Sequence, residues 1–231
     1  MERPPNHVVY ALVRRNVRAL VDGRPDAAGA VVPACPEWRV RDLVAHLLDI
    51  CEQAVELVTG RASGPVRTDT PRADGPTLTE LLDRWEERGA ELDALVARTG
   101  DPRSAMLTHD AFCHELDLRV AVGAPPPAGH PGYTSLLHVP VGGFLERVRE
   151  LGLPALRVET PGDRWATGPD EAAGVLSAGR HDLYRSLTGR RTHDQIAALS
   201  WSGDPERWLP AFTRGPFRPP ERPAEELAAR Y

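Results

Sequence analysis

The sequence predicts an α+β chain that is mainly α: a four-helix bundle over residues 1–150, then a small α/β domain over residues 151–231 ending in an irregular tail. Three observations predict it. Apolar residues recur at helical spacing through four long stretches before residue 123. The spacing stops at Gly123-Ala-Pro-Pro-Pro, and beyond residue 153 short runs separated by turn residues replace it. Consecutive amphipathic helices of this length bury their apolar faces most simply against one another, as a bundle.

Each element follows from its own residues. Val9, Val13, Val17, Leu20 and Val21 mark a first helix from about Asn6 to Asp22. Gly23 to Pro36 mixes Gly, Pro and Ala without period and reads as a connection. A second helix spans about Val40 to Thr59, with Gly60 as its stop. Residues 60–76, rich in Gly, Pro, Asp and Thr, form a loop of the length that often borders a site. Thr77 and Glu80 have capping-box spacing, and Leu78, Leu81, Leu82, Trp85, Leu92, Leu95 and Val96 carry a third helix to Gly100. The fourth runs from about Pro102 to Val122. Tyr133 to Glu150 reads as a further helix interrupted or kinked near Pro140, Leu156 to Thr160 with the Pro161-Gly162-Asp163 turn as a hairpin, and Asp170 to Thr188 as a helix closed by Gly189. Past Pro216 the prolines leave room only for a short terminal helical turn.

Composition narrows the function classes. An apolar fraction of 41% and a charged fraction of 26% are those of a globular protein. The net charge of -5 argues against a nucleic-acid partner, which needs a clustered basic face. All 28 basic residues are arginine, a bias that fits a GC-rich bacterial genome. No long apolar run and no signal-peptide core is present, so the expected location is cytoplasmic, without a membrane partner. Cys35, Cys51 and Cys113 lack CxxC spacing, which points to reduced packing residues rather than disulfides or a cysteine zinc cluster.

One constellation carries chemistry. His46 lies in helical register with Leu43, Leu47, Ile50 and Ala54 and so faces the bundle interior, where a lone histidine is ordinarily a bonded core residue. Asp110, His114 and Asp117 fall at i, i+4 and i+7 on the fourth helix, a stripe that is either a solvated face or a site. Asp110 and His114 one turn apart, with His46 from a neighbouring helix, make three metal ligands and leave one coordination position open, the pattern of a catalytic metal. Asp117 then orients His114 by a hydrogen bond. Glu115 and Arg119 suit a local ion pair, and His109 points about 100° away from Asp110. Trp38 anchors the start of the second helix, and His181 and His193, without ligand spacing, read as surface residues.

Two segments, Cys35-Pro36-Glu37-Trp38 leading to His46 and Asp110-Ala-Phe-Cys-His114-Glu115-Leu-Asp117-Leu-Arg119, resemble the mycothiol-dependent maleylpyruvate isomerase family, a branch of the DinB-like metalloenzymes. Glu37 stands where that family has Gly, and Asp110 where it has Glu; the shorter side chain either reaches a metal directly or leaves room for a bridging water. Leu183 to Arg191 and Trp201 to Asp204 resemble the family's small appended domain. The resemblance implies a DinB-like four-helix bundle, a divalent metal, zinc above all, held by His46, Asp110 and His114, and mycothiol as thiol cofactor or cosubstrate. The all-arginine composition fits the actinobacterial setting in which mycothiol occurs. The reaction implied is thiolate addition to an unsaturated or electrophilic small molecule, as in cis–trans isomerisation of maleylpyruvate. Anionic groups of thiol or substrate call for an arginine, for which Arg190 is the candidate against an ordinary surface role. A mycothiol S-transferase, a thiol-independent metal-water hydrolase and a non-catalytic metal-binding regulatory module use the same residues and stay open, as do metal identity and oligomeric state.

Overall fold

The computed structural model describes residues 3–61, 75–169 and 171–228. The chain divides into two compact units between Ser135 and Leu136, earlier than the expected boundary at 150/151, so the last long helix belongs with the second unit. In the first unit, helices α1 (Asn6–Val21), α2 (Val40–Val58), α3 (Leu78–Thr99) and α4 (Ser104–Ala121) form the expected bundle, with α1 and α2 each packed against both α3 and α4. Val9, Val13, Val17, Leu43, Leu47, Leu92, Phe112 and Leu116 fill its core. Burying a side chain of this kind contributes about 1.5–3 kcal/mol, which is what aligns the four apolar stripes.

The helix ends follow the sequence closely. Thr77 Oγ1 accepts from the Glu80 N–H and the Glu80 carboxylate accepts from the Thr77 N–H at 2.7 Å, a reciprocal cap worth about 1 kcal/mol that starts α3. Gly100, at φ 62°, stops α3 in the left-handed conformation that a side chain resists. The interior also holds polar groups. Trp85 Nε1 donates to the Tyr10 hydroxyl at 2.9 Å, and the buried Arg14 pairs with Asp93 at 2.6 Å and Glu86 at 3.3 Å. Gly89 makes room for that arginine, since a Cβ there would collide with its guanidinium.

The segment expected to be a plain connection is more ordered than its composition suggests. A 3₁₀ turn at Ala27–Gly29 is followed by a two-stranded antiparallel ribbon, β1 (Val31–Val32) and β2 (Cys35–Arg39), whose register shifts at Val31/Val32. Arg39 Nη1 donates to the Gly29 carbonyl and the Val40 N–H to the Ala30 carbonyl, fastening the ribbon to the start of α2. Strands this short carry too few residues for a period-2 signal. The 60–76 loop lies largely outside the described residues.

The helix expected over Tyr133 to Glu150 is two helices, α5 (Pro131–Leu136) and α6 (His138–Glu150), parted at Leu137. Of the interruption or kink expected near Pro140, the interruption occurs, three residues earlier; Pro140 itself sits in the first turn of α6, where the N–H it lacks would have no helical partner. In the second unit, β3 (Leu156–Thr160), β4 (Asp163–Ala166), β5 (Gly174–Ser177) and β6 (Ser200–Ser202) form a mixed sheet in the order β4-β3-β5-β6, with the expected hairpin between β3 and β4. The helix expected over Asp170 to Thr188 is in fact β5 followed by α7 (Arg180–Leu187). Gly174 and Leu176 are buried as β5 pairs in parallel with β3, and a Cβ at Gly174 would run into the Trp208 ring. Tertiary packing therefore overrides the helical spacing there. α8 (His193–Ala197), two 3₁₀ turns and α9 (Ala224–Ala228) complete the described chain. Among the described residues no helix is long and apolar enough to cross a membrane.

Candidate metal centre

The site is built by α2 and α4, with β2 delivering two more side chains. On α2 the Asp42 carboxylate accepts from the Arg39 N–H at 2.9 Å and fixes the first turn, which sets the rotation that turns His46 inward to 7% exposure. On α4 nearly the whole circumference is buried from Ala111 to Leu118, so the stripe of ionisable groups is no solvated face. Asp117 and Glu115 are fully buried, His114 is 7% exposed, and the Asp110 side chain retains 36% exposure. The structure thus brings His46, Asp110 and His114 together, their ligand atoms all within 4.8 Å of one another.

The arrangement of protons is informative. His114 Nδ1 stands 3.2 Å from Asp117 Oδ2, and an ionised carboxylate can only accept, so the ring proton sits on Nδ1 and the Nε2 lone pair points the other way. There it meets Asp110 Oδ1 at 3.6 Å, while His46 Nε2 lies 3.5 Å from Asp110 Oδ2. Asp110 Oδ2 is buried and accepts no hydrogen bond among the described residues. Three ligand-type atoms converge here. Bonds of about 2.1 Å at tetrahedral angles place neighbouring donors roughly 3.4 Å apart, which matches these separations. Two imidazoles and a carboxylate are also a donor set that zinc and similar divalent ions accept. The residues present fit a metal. Burial opposes the charged form of Asp110, but His114, His46 and His109 outweigh it and hold its carboxyl below the ordinary value, ready to ligate.

Two aromatic and sulfur contributions were not legible as parts of the site. Trp38, read as a helix anchor, stacks over His114 at 6.2 Å between ring centroids and tilts over His46 at 5.0 Å, roofing both imidazoles. Cys35 is half-buried rather than core-packed, and its sulfur lies within 4.8 Å of ligand atoms of His114 and Asp117. The signal for both was the Cys-Pro-Glu-Trp run itself, which the missed ribbon carries. His109 is buried and outside both ligand groups. Glu115 pairs with Arg119 at 2.9 Å as expected, and also with Asn16 and His130, neither of which the helical spacing could reveal. Arg190 belongs to the second unit, where its Nη1 donates to the Thr188 carbonyl. His193 is exposed, but His181 is half-buried, and burial together with Arg185 and Arg191 pushes its pKa down to about 4.

Residues 10–122, which include His46, Asp110 and His114, match the model of the DinB superfamily. Two solved structures resemble the chain, those of the mycothiol-dependent maleylpyruvate isomerase and of a histidine-to-alanine mutant of it. Each is 14% identical with a TM-score of 0.56, over 85% of this chain and 91% of the other. At that identity the likeness is one of fold, and it extends through the small sheet region as well as the bundle. No curated protein matches the sequence at a significant level.

Proposed function

We propose that the chain is a metal-dependent enzyme that uses mycothiol to add a thiolate to an unsaturated or electrophilic small molecule, by cis–trans isomerisation of the maleylpyruvate type. The observation that carries this reading is the convergence of the His46, Asp110 and His114 donors on one point with a buried carboxylate oxygen left without a hydrogen bond. The shared fold with a mycothiol-dependent isomerase supports the choice of thiol and reaction. His46, Asp110 and His114 hold a divalent metal, with zinc the expected ion. Such an ion lowers the pKa of a thiol bound to it, so that the nucleophilic thiolate is present at neutral pH.

The remaining work falls to the chain. Asp117 keeps the proton on His114 Nδ1 and so keeps Nε2 available as a ligand. Trp38 covers both rings and limits water around them. Arg190, in the second unit, is assigned to anionic groups of thiol or substrate. Mycothiol, when bound, would supply a thiolate for reversible addition to the cis double bond of an unsaturated keto acid, the chemistry by which cis–trans isomerisation would occur.

The test is metal content by mass spectrometry on protein purified without chelator, followed by turnover of maleylpyruvate with and without mycothiol. About one equivalent of divalent metal and turnover that needs thiol without consuming it are expected, and His46→Ala and His114→Ala lose both. Full metal content in those variants would refute the ligand set. Accumulation of a thiol conjugate would make the protein a transferase, and turnover without thiol would remove mycothiol from the account.

A further inference from the structure

We propose a second metal site on the opposite edge of His114, formed by Cys35, His114 and Asp117 and selective for thiophilic ions. The ring of His114 has a carboxylate at each nitrogen: Nε2 faces Asp110 at 3.6 Å and Nδ1 faces Asp117 at 3.2 Å. The Cys35 sulfur joins the Asp117 side, where the three ligand atoms lie within 4.8 Å of one another, the same closeness that defines the first group. The first site offers nitrogen and oxygen; the second adds sulfur. Thiolate prefers zinc, cadmium and cuprous ions over hard cations, so the two edges of one imidazole sort ions by softness.

The surroundings favour a cation at this second position. Asp117 is fully buried with its Oδ2 3.2 Å from His114 Nδ1, and a cation between them would compensate the carboxylate's charge. In metal-free protein, loading the site at Nδ1 moves the ring proton to Nε2, the Cys35 thiol loses its proton to solvent, and no oxidant or reductant is needed. Cys35 is also the cysteine placed to do this. Cys51 is fully buried, with burial pushing its thiol up to about 11, and Cys113 is buried on α4. Neither belongs to a ligand group, whereas half-exposed Cys35 gives an ion a way in.

Occupancy of the second site interrupts the hydrogen bond by which Asp117 orients His114, so a soft ion there withdraws that support from the first site. The two readings share His114 and Asp117, but only this one uses Cys35 and only the proposed thiol reaction uses His46 and Asp110, so their tests separate them.

The experiment is titration of the metal-free full-length protein with cadmium chloride in thiol-free buffer, followed by the ultraviolet sulfur-to-cadmium charge-transfer band. A band saturating at about one equivalent is expected in the wild type and in His46→Ala, and none in Cys35→Ser. X-ray absorption on the wild type alone, which needs no variant to fold, should find one sulfur beside nitrogen and oxygen neighbours. No band in the wild type, a band that survives Cys35→Ser, or a cadmium shell without sulfur would each overturn the second site. A normal cadmium band with no thiol-dependent turnover would instead leave this site standing and remove the proposed function.

Discussion

Two of the acidic residues of helix α4, Asp110 and Glu115, are treated in opposite ways. Glu115 is well bonded: Oε1 accepts from Arg119 Nε at 3.0 Å, Arg119 Nη2 at 2.9 Å and Asn16 Nδ2 at 3.1 Å, and Oε2 from Asn16 Nδ2 at 3.3 Å, with His130 Nε2 3.3 Å from Oε2 as an ion-pair contact. Asp110, five positions earlier, faces two imidazole nitrogens at 3.5 and 3.6 Å and has a buried oxygen that accepts no hydrogen bond among the described residues. Glu115 joins α4 to α1 through hydrogen bonds from Asn16 and lies against His130 of the segment before α5. Asp110 has contacts of 3.5 and 3.6 Å to its two imidazoles, longer than any of the Glu115 bonds. A polar network with short bonds holds a fold together, whereas ligand-type groups gathered without such bonds serve binding more than stability.

The largest expected effect tests the closed side. Glu115→Ala leaves Arg119 and His130 without their shared buried carboxylate, and removing one partner of a buried pair costs about 3 kcal/mol or more. Urea denaturation of metal-free protein should show that loss, with the folded fraction still binding metal at His46, Asp110 and His114. A loss under about 1 kcal/mol would mean the Glu115 network is not the strut that its geometry describes.

The next effect lies between the two cases, at Asp117. It is as buried as Glu115, yet its shown partner is the ring of His114. Asp117→Asn keeps the shape but removes the charge and can present either a donor or an acceptor to Nδ1, so it no longer dictates the tautomer, and metal affinity should fall about 10–100-fold. Competition with a chromogenic chelator measures it. Unchanged affinity would show that the tautomer is held by something else.

Which parts of this contrast were readable from the chain follows from what local spacing encodes. The four helices, the Thr77–Glu80 cap and the Gly100 stop depend on residues within a turn of one another, and all three appear as expected. The expectation that His46, Asp110 and His114 face one another needed only helical phase and the assumption that α2 and α4 are neighbours. What spacing could not give was anything set by distant chain. The ribbon over Val31 to Arg39 is defined by Ala30 and Gly29 carbonyls receiving bonds from Val40 and Arg39, and without it Trp38 and Cys35 had no address. Strand β5 was mistaken for helix because Gly174 is chosen to fit under Trp208, a constraint invisible in its own neighbourhood. His130 and Asn16 are 15 and 99 positions from Glu115, beyond the reach of any helical pattern.

The smallest expected effect is the sharpest test of the open side. Asp110→Ala removes a group that makes no hydrogen bond at Oδ2, keeps 36% side-chain exposure and has only long contacts to its two histidines. In chelator-treated protein at neutral pH it should change stability by no more than about 0.5 kcal/mol, against the several kcal/mol expected at Glu115. The sign in acid also follows. Its neighbours hold the Asp110 carboxyl below the ordinary value of 3.8. Whatever stability it adds is therefore present above that pH and lost as pH falls through the lower folded value. The wild type should lose its small advantage over Asp110→Ala at the acid end, and denaturation curves at pH 7 and near pH 3 would show the two converging. A penalty at neutral pH as large as that of Glu115→Ala would mean that Asp110 is a strut after all, and that its unpaired oxygen awaits no ion.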